Sequence, residues 1–396
     1  MSLHPSPVAD THPRPGALGD PHALTTRLQK HIPALDGVRG LAVLFVLLYH
    51  YAGGNRSHNA VVRLVAHILK AGWSGVTLFF ALSGFLITGI LWDSFGKPHW
   101  TRNFYARRAL RILPLYFLSL FIVLLGAAYA GTLHAALGRI GILALFLQNM
   151  PRLSDLASAI PSPFMIFHLW SLAVEEQFYL IWPFLLVLQS TRTSALRLCL
   201  AVFILSFLFR VFVLTALPNP LDYWQFLLTR AGELSLGGAL AILYRGTRWP
   251  TVERWAGPVA LASLAAFLLS SLYAGTADLL NRTQLLIGLP AITLFYTAVI
   301  ALALRPGPIQ SLLSAAWLRS VGALSYGIYV FHVLLGNLFR ALAETLCKGR
   351  GGETSVLAVQ FVLVLVGSVA AAWLSFRFFE TPFLRLKKNY PSAPAA

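Results

Sequence analysis

The sequence predicts an all-α, polytopic integral membrane protein, and three observations predict it. The chain of 396 residues is 57% hydrophobic and only 11% charged, with a mean hydropathy of +0.69. Soluble domains carry about 25% charged residues, so over this length most of the chain must face lipid or other apolar helices. Apolar runs long enough to cross roughly 30 Å of hydrocarbon recur along nearly the whole sequence. The 31 Lys and Arg, against 14 Asp and Glu, fall between those runs. There they set topology and meet anionic headgroups, which excludes nucleic acid as the reason for the basic balance.

Ten spans are expected, at 34–52, 72–92, 112–132, 169–188, 195–216, 223–244, 256–275, 284–304, 320–341 and 354–376. The apolar stretch 140–149 is too short to cross, so 133–168 reads as one long extramembrane or re-entrant region. Residues 1–31, rich in Pro, His and Ala and without an apolar core, read as a flexible cytoplasmic tail rather than a signal peptide. Residues 32–386 form the membrane domain and 387–396 a short cytoplasmic tail. Ten spans with both termini cytoplasmic put twenty basic residues inside and nine outside. If 140–149 crossed, every later loop would change sides and the bias would collapse. Cys199, inside an apolar run, and Cys347, in a loop, indicate no disulfide, and no spacing indicates a metal site.

An ionisable residue in a span costs roughly 2.5–3.5 kcal/mol at mid-membrane on insertion scales, so each is a candidate for chemistry. The bland alternative is a structural ion pair or a side chain reaching to the interface. In the first span Arg39 and His50 are eleven residues apart. Eleven helical steps return to within about 20° of the start, placing both on one face about 16 Å apart along the axis. A neutral imidazole accepts a proton near pH 7, and an arginine below it offers an anchor for an anionic donor. Arg107, Arg108 and Arg111 cluster at the start of the third span, where a topogenic role competes with phosphate binding. Arg108 and Arg111, three apart, share a face and suit bidentate contacts. The fourth span carries Ser171, Glu175 and Tyr179 in one i, i+4, i+8 stripe, with Glu176 beside it; either carboxyl can face a polar cavity, and the stripe favours Glu175. In the sixth, Arg230 and Glu233 neutralise one another at i, i+3. In the ninth, Ser325, Tyr329 and His332 share a face and Tyr326 lies beside them. At the end of the last span, Arg377 and Glu380 are expected to pair.

In order from residue 34 to about 385 the chain reads LDGVRGLAVLFVLLYH, WSGVTLFFALSGFLIT, FYARRALRILPLY, HLWSLAVEEQFYLIWP, RAGELSLGGALA, LSYGIYVFH and SFRFFETPF. Together these segments resemble the acyltransferase-3 family of integral membrane acyltransferases. The resemblance implies transfer of an acyl group, usually acetyl, from a coenzyme A thioester to a hydroxyl. Acceptors are commonly sugars of surface polysaccharides, lipopolysaccharide or peptidoglycan, or glycosylated small metabolites. It implies that Arg39 and His50 are the essential pair, Arg108 and Arg111 the arginine motif, and Glu175 and Glu176 the acidic motif. Longer family members append an extracytoplasmic hydrolase-like domain, and none is expected after the last span here. Acceptor selection is therefore expected from the membrane domain or a separate partner.

The expected reaction has acyl-CoA entering from the cytoplasm with its phosphates near Arg39, Arg108 and Arg111. His50 acts as base, oriented by an acidic residue, Glu175 by preference; a relay through an acylated His50 stays open. Acyl-CoA is the donor substrate, a carbohydrate or glycosylated molecule the acceptor, and a bacterial inner membrane the setting, with no tightly bound cofactor or metal. The competing reading is a multi-pass transporter or flippase for an anionic or proton-coupled substrate. Against it stand the absence of a detectable inverted repeat and the alignment of a base with an anion anchor.

Overall fold

Every regular element among the described residues is helical. The computed structural model describes residues 32–52, 69–348 and 352–391. The expected tail 1–31, residues 392–396 of the second tail, and Arg56, Arg63 and Arg350 of the loops lie outside the described residues. In chain order the helices are α1 (Pro33–Ala52), α2 (Ser74–Ser94), α3 (Trp100–Tyr129), α4 (Leu133–Ala144), α5 (Leu153–Ser158), α6 (Trp170–Val187), α7 (Arg192–Ala216) and α8 (Leu227–Tyr244). They continue with α9 (Trp249–Ala274), α10 (Leu289–Ala303), α11 (Pro308–Leu313), α12 (Ala316–Ala323), α13 (Ser325–Leu334), α14 (Gly336–Leu346), α15 (Glu353–Leu374) and α16 (Thr381–Arg385).

Among the described residues, seven helical segments are long and apolar enough to cross a membrane: Pro33–Tyr51, Ala71–Ser94, Trp100–Tyr129, Arg192–Ala216, Trp249–Ala274, Gln284–Ala303 and Ser355–Asn389. They correspond to seven of the ten expected spans. The other three are two 18-residue helices that carry ionisable groups, α6 and α8, and the pair α13–α14, which bends by 62°. The chain is thus a multi-pass membrane protein. Its outer face agrees: Phe121 is 56% exposed, Leu205 62% and Leu272 78%, a distribution that suits lipid and not water.

One expectation changes in the structure. The third span begins at Trp100 rather than 112 and runs for 30 residues, so Arg107, Arg108 and Arg111 lie within a helix and project on defined faces. Region 133–168, expected as an extramembrane or re-entrant region, contains the short helices α4 and α5.

The helices alternate in direction. The end of α1 at His50 shares a cavity with Trp73, just before α2, Trp170 at the start of α6, Trp224 before α8 and Asp278 before the π turn that opens α10. At the opposite end Arg245 of α8 grips Asp93 of α2 through two hydrogen bonds of 2.8 and 2.7 Å. Helices α2 and α8 cross in close contact. A Cβ on Gly84 would overlap the Leu234 carbonyl, and one on Gly237 the Ala81 carbonyl. Small residues allow this approach, which apolar lipid alone cannot drive.

Candidate active site

Two cavities lie along the bundle axis and share Val76 and Tyr329 as a common wall. The first, about 120 Å³, lies toward the Arg39 end and is lined by Arg39, Arg108, Arg111, Glu175, Tyr179 and Ser325, among others. The second, about 150 Å³, lies at the His50 end and is lined by Tyr49, His50, Trp170, Trp224, Arg230 and Asp278, among others.

In the first cavity α1 and α3 bring three guanidiniums together. Arg39 is tied to Asp36 at 2.7 Å. Among the described residues no carboxylate reaches ion-pair distance of Arg108 or Arg111, although Arg108 lies over the Tyr179 ring at 5.9 Å. Glu175 lies in the same cavity near the hydroxyls of Tyr179 and Ser83, with Arg108 and Arg39 also nearby, and Tyr179 and Ser83 are hydrogen-bonded to each other. The i, i+3 and i, i+4 spacings of α3 and α6 therefore put cations and a carboxylate on facing walls. Glu176 lines neither cavity, and its Oε1 is buried without a hydrogen-bond partner. Helix α13 supplies Ser325, Tyr326 and Tyr329 to the same space; Tyr326 donates to the Ile112 carbonyl at 2.7 Å.

Tyr329 stands at the junction of the two cavities. Its hydroxyl donates to the His168 carbonyl at 2.6 Å and so must accept from Ser171 Oγ, also at 2.6 Å. Beyond it lie three histidines. His332 contacts both others, with ring centroids 5.0 Å from His50 and 5.1 Å from His168.

The hydrogen bonds assign the tautomers. His332 Nδ1 lies 2.6 Å from the Tyr329 carbonyl, which can only accept, so Nδ1 carries the proton and Nε2 a lone pair. His50 Nδ1 lies 2.9 Å from the Val46 carbonyl, so it too is protonated, and it also reaches His332 Nε2 at 3.3 Å. This leaves His50 Nε2 unprotonated, on a residue that lines the second cavity. The imidazole of His332 is the side chain that meets His50 here; Glu175, expected to orient it, lines the first cavity with the arginines, about a helical turn beyond Ser171 on α6.

Sequence reasoning missed three contributors. His168, 1% exposed, packs against His332 and Tyr329. Neither of its ring nitrogens completes a hydrogen bond, though the Tyr329 and Val330 backbone faces the ring. It precedes Ser171 by three residues and extends the Ser171–Glu175–Tyr179 stripe, the signal that could have found it. Trp224 and Asp278 have no such signal, being brought in by loops. The pairing of Arg230 with Glu233 is present at 2.8 Å, both side chains nearly inaccessible, with Thr77 donating to Glu233 at 3.0 Å. Arg377 and Glu380 do not pair. A π turn over Ser375–Glu380 rotates position 377 away from 380, and Glu380 accepts instead from Ser375 at 3.1 Å. Among the described residues no group of three or more side chains is arranged to hold a metal ion.

A membrane-embedded helical bundle with a cationic cavity set against a histidine-lined one defines a class of integral membrane transferase. The chain belongs to the acyltransferase-3 family: the family model described as "Acyltransferase domain" matches residues 32–377. Among curated proteins it is similar to the peptidoglycan O-acetyltransferase OatA of Listeria monocytogenes, 29% identical over 388 residues covering 92% of this chain and 57% of that protein. It is also similar to the O-acetyltransferase OatA of Staphylococcus aureus, 25% identical over 384 residues, 89% of this chain and 57% of that one. The chain thus spans a little over half the length of these relatives. No solved structure matches it.

Proposed function

We propose that this protein transfers an acetyl group from acetyl-CoA to a hydroxyl of an envelope carbohydrate, with His50 as the general base. The observation that carries the reading is the abutment of the two cavities at Val76 and Tyr329, one cationic and one holding a free imidazole nitrogen. The donor's phosphates bind Arg108 and Arg111, and Arg39 joins them from the Asp36 pair. The pantetheine arm carries the thioester toward Tyr329. In the second cavity His50 Nε2 takes the acceptor hydroxyl's proton as its oxygen attacks the thioester carbonyl carbon. The carbon–sulfur bond breaks, the acetyl ester remains on the acceptor, and the coenzyme A thiolate recovers a proton from the imidazolium. His332 Nε2 accepts from His50 Nδ1–H throughout and stabilises the transient positive charge. The names of the OatA relatives support a glycan acceptor, and the twenty-to-nine charge bias supports a cytoplasmic donor side. With that orientation, a cysteine at position 390 is labelled only by reagents that reach the cytoplasm.

The decisive experiment is acetyl transfer by purified protein in nanodiscs, from labelled acetyl-CoA to glycan fragments. General-base removal costs about 10²–10⁴-fold, so His50→Ala and His50→Gln should both lose that factor while still binding acetyl-CoA. A His50→Gln variant with near wild-type turnover would end the assignment.

A further inference from the structure

We infer that the aromatic cavity beside His50 is a subsite for a neutral pyranose, which holds the acceptor's sugar ring. The inference rests on the acetyl-transfer reading for what the sugar does there, but not for its binding.

One flank of the cavity is indole. Trp170 and Trp224 meet edge to face with centroids 4.7 Å apart, and both line the space. The rest of the wall mixes apolar side chains, Val46, Val76 and Leu279 among them, with the polar Arg230, Gln225 and Asp278. An indole face is apolar and electron-rich, and so matches the C–H face of a pyranose, whose rim carries hydroxyls that need donors and acceptors. A lipid tail would leave three polar side chains stranded, and a bare phosphate would leave the indoles unused. A sugar ring uses both.

Arg230 provides the second observation. It is 1% exposed and spends one nitrogen, Nη2, on Glu233. Its Nε and Nη1 are buried without a hydrogen-bond partner, a costly state for a charged donor, on a residue that lines the cavity. The rings of Phe80 and Trp170 flank it on one side, their centroids 5.5 and 5.4 Å from its Cζ. Sugar hydroxyls are suitable acceptors because they add no charge. Glu233 faces both Arg230 and the neighbouring buried Arg210, which donates to the Thr229 carbonyl at 2.6 Å. Asp278 lines the same cavity as Arg230 and accepts from another hydroxyl.

Size and position agree. At a liquid share of about 30 Å³ per water, a cavity of about 150 Å³ holds several water-sized groups, the order of size of one pyranose ring. His50 lines the same wall, so a hydroxyl of the bound ring lies beside the base.

The test compares wild type, Trp224→Ala, Trp224→Phe and Asp278→Asn in nanodiscs. Equilibrium binding is measured with tritiated neutral oligosaccharides of glucose, galactose and N-acetylglucosamine, alongside acetyl-CoA binding and acetyl transfer. Asp278→Asn keeps the side-chain bond to the Leu280 amide, and Trp224→Phe keeps an aromatic face. Saturable binding of at least one sugar is expected. Trp224→Ala and Asp278→Asn should weaken it about tenfold or more, Trp224→Phe much less, and none should change acetyl-CoA affinity. The subsite is overturned if wild type binds none of the three sugars saturably, or if all variants bind as wild type does. Wild type that binds sugar but never transfers acetyl would overturn the acetyl-transfer reading alone. Transfer with an unchanged acceptor KM in Trp224→Ala and Asp278→Asn would overturn the subsite alone.

Discussion

Removing His332 tests whether the two histidines act as one unit. His332 is fully buried, its Nδ1 is committed to the Tyr329 carbonyl, and its Nε2 faces His50 Nδ1 at 3.3 Å. When His50 takes up a proton, that contact becomes a charge-assisted hydrogen bond, worth about 1.5–3 kcal/mol. At 1.36 kcal/mol per factor of ten, its loss in the transition state lowers kcat roughly 10- to 150-fold. His332→Ala should fall in that range, with acetyl-CoA affinity unchanged. His332→Gln, whose side-chain oxygen can accept from His50, should recover part of the loss. The double variant with His50→Ala should be no slower than His50→Ala alone, because without the base there is no charge to stabilise. Turnover in nanodiscs provides the cycle, and thermal unfolding of each variant separates catalysis from loss of packing. Losses that multiply in the double variant would refute the coupling. A His332→Ala loss equal to that of His50→Ala, with no rescue by glutamine, would move the base to His332.

Two further outcomes follow from named contacts. Arg108→Ala and Arg111→Ala should each weaken acetyl-CoA binding by about 1.5–3 kcal/mol, the worth of a charged hydrogen bond, while leaving the protein folded; unchanged affinity in calorimetric titration of both would make these arginines purely topogenic. Gly237→Leu should prevent stable accumulation in the membrane, because its Cβ would meet the Ala81 carbonyl across α2 and force the α2–α8 crossing apart, at a cost of about 1–3 kcal/mol or more for overpacking. Wild-type yield and melting temperature for this variant would show that the crossing can shift.

Much of the architecture is legible in one dimension because lipid imposes a local rule. A backbone segment in hydrocarbon must satisfy its own hydrogen bonds, so a long apolar run becomes a helix whatever lies next to it. That is why α1, α2, α7, α9, α10 and α15 are readable from hydropathy. Periodicity likewise announces the pair Arg230 and Glu233, since both partners sit on one helix. The same logic fails where helices cease to be regular. Leu335 and the π turn at Ser375–Glu380 carry no hydropathy signal, yet one bends α13 from α14 and the other separates Arg377 from Glu380.

What the sequence by itself determined is therefore the class: a helical membrane protein, its main spans, and a short set of ionisable residues too costly to bury without purpose. Only the tertiary structure decided how those residues group. Arg39 and His50 share one face of α1 but open onto different cavities, because Val76 and Tyr329 from other helices stand between them. Glu175 belongs with the arginines, and the partner of His50 is His332, 282 residues away in the chain. Spacing along one helix cannot express such choices. They arise from close interhelical contacts, where glycine and buried polar groups set the approach and which face meets which.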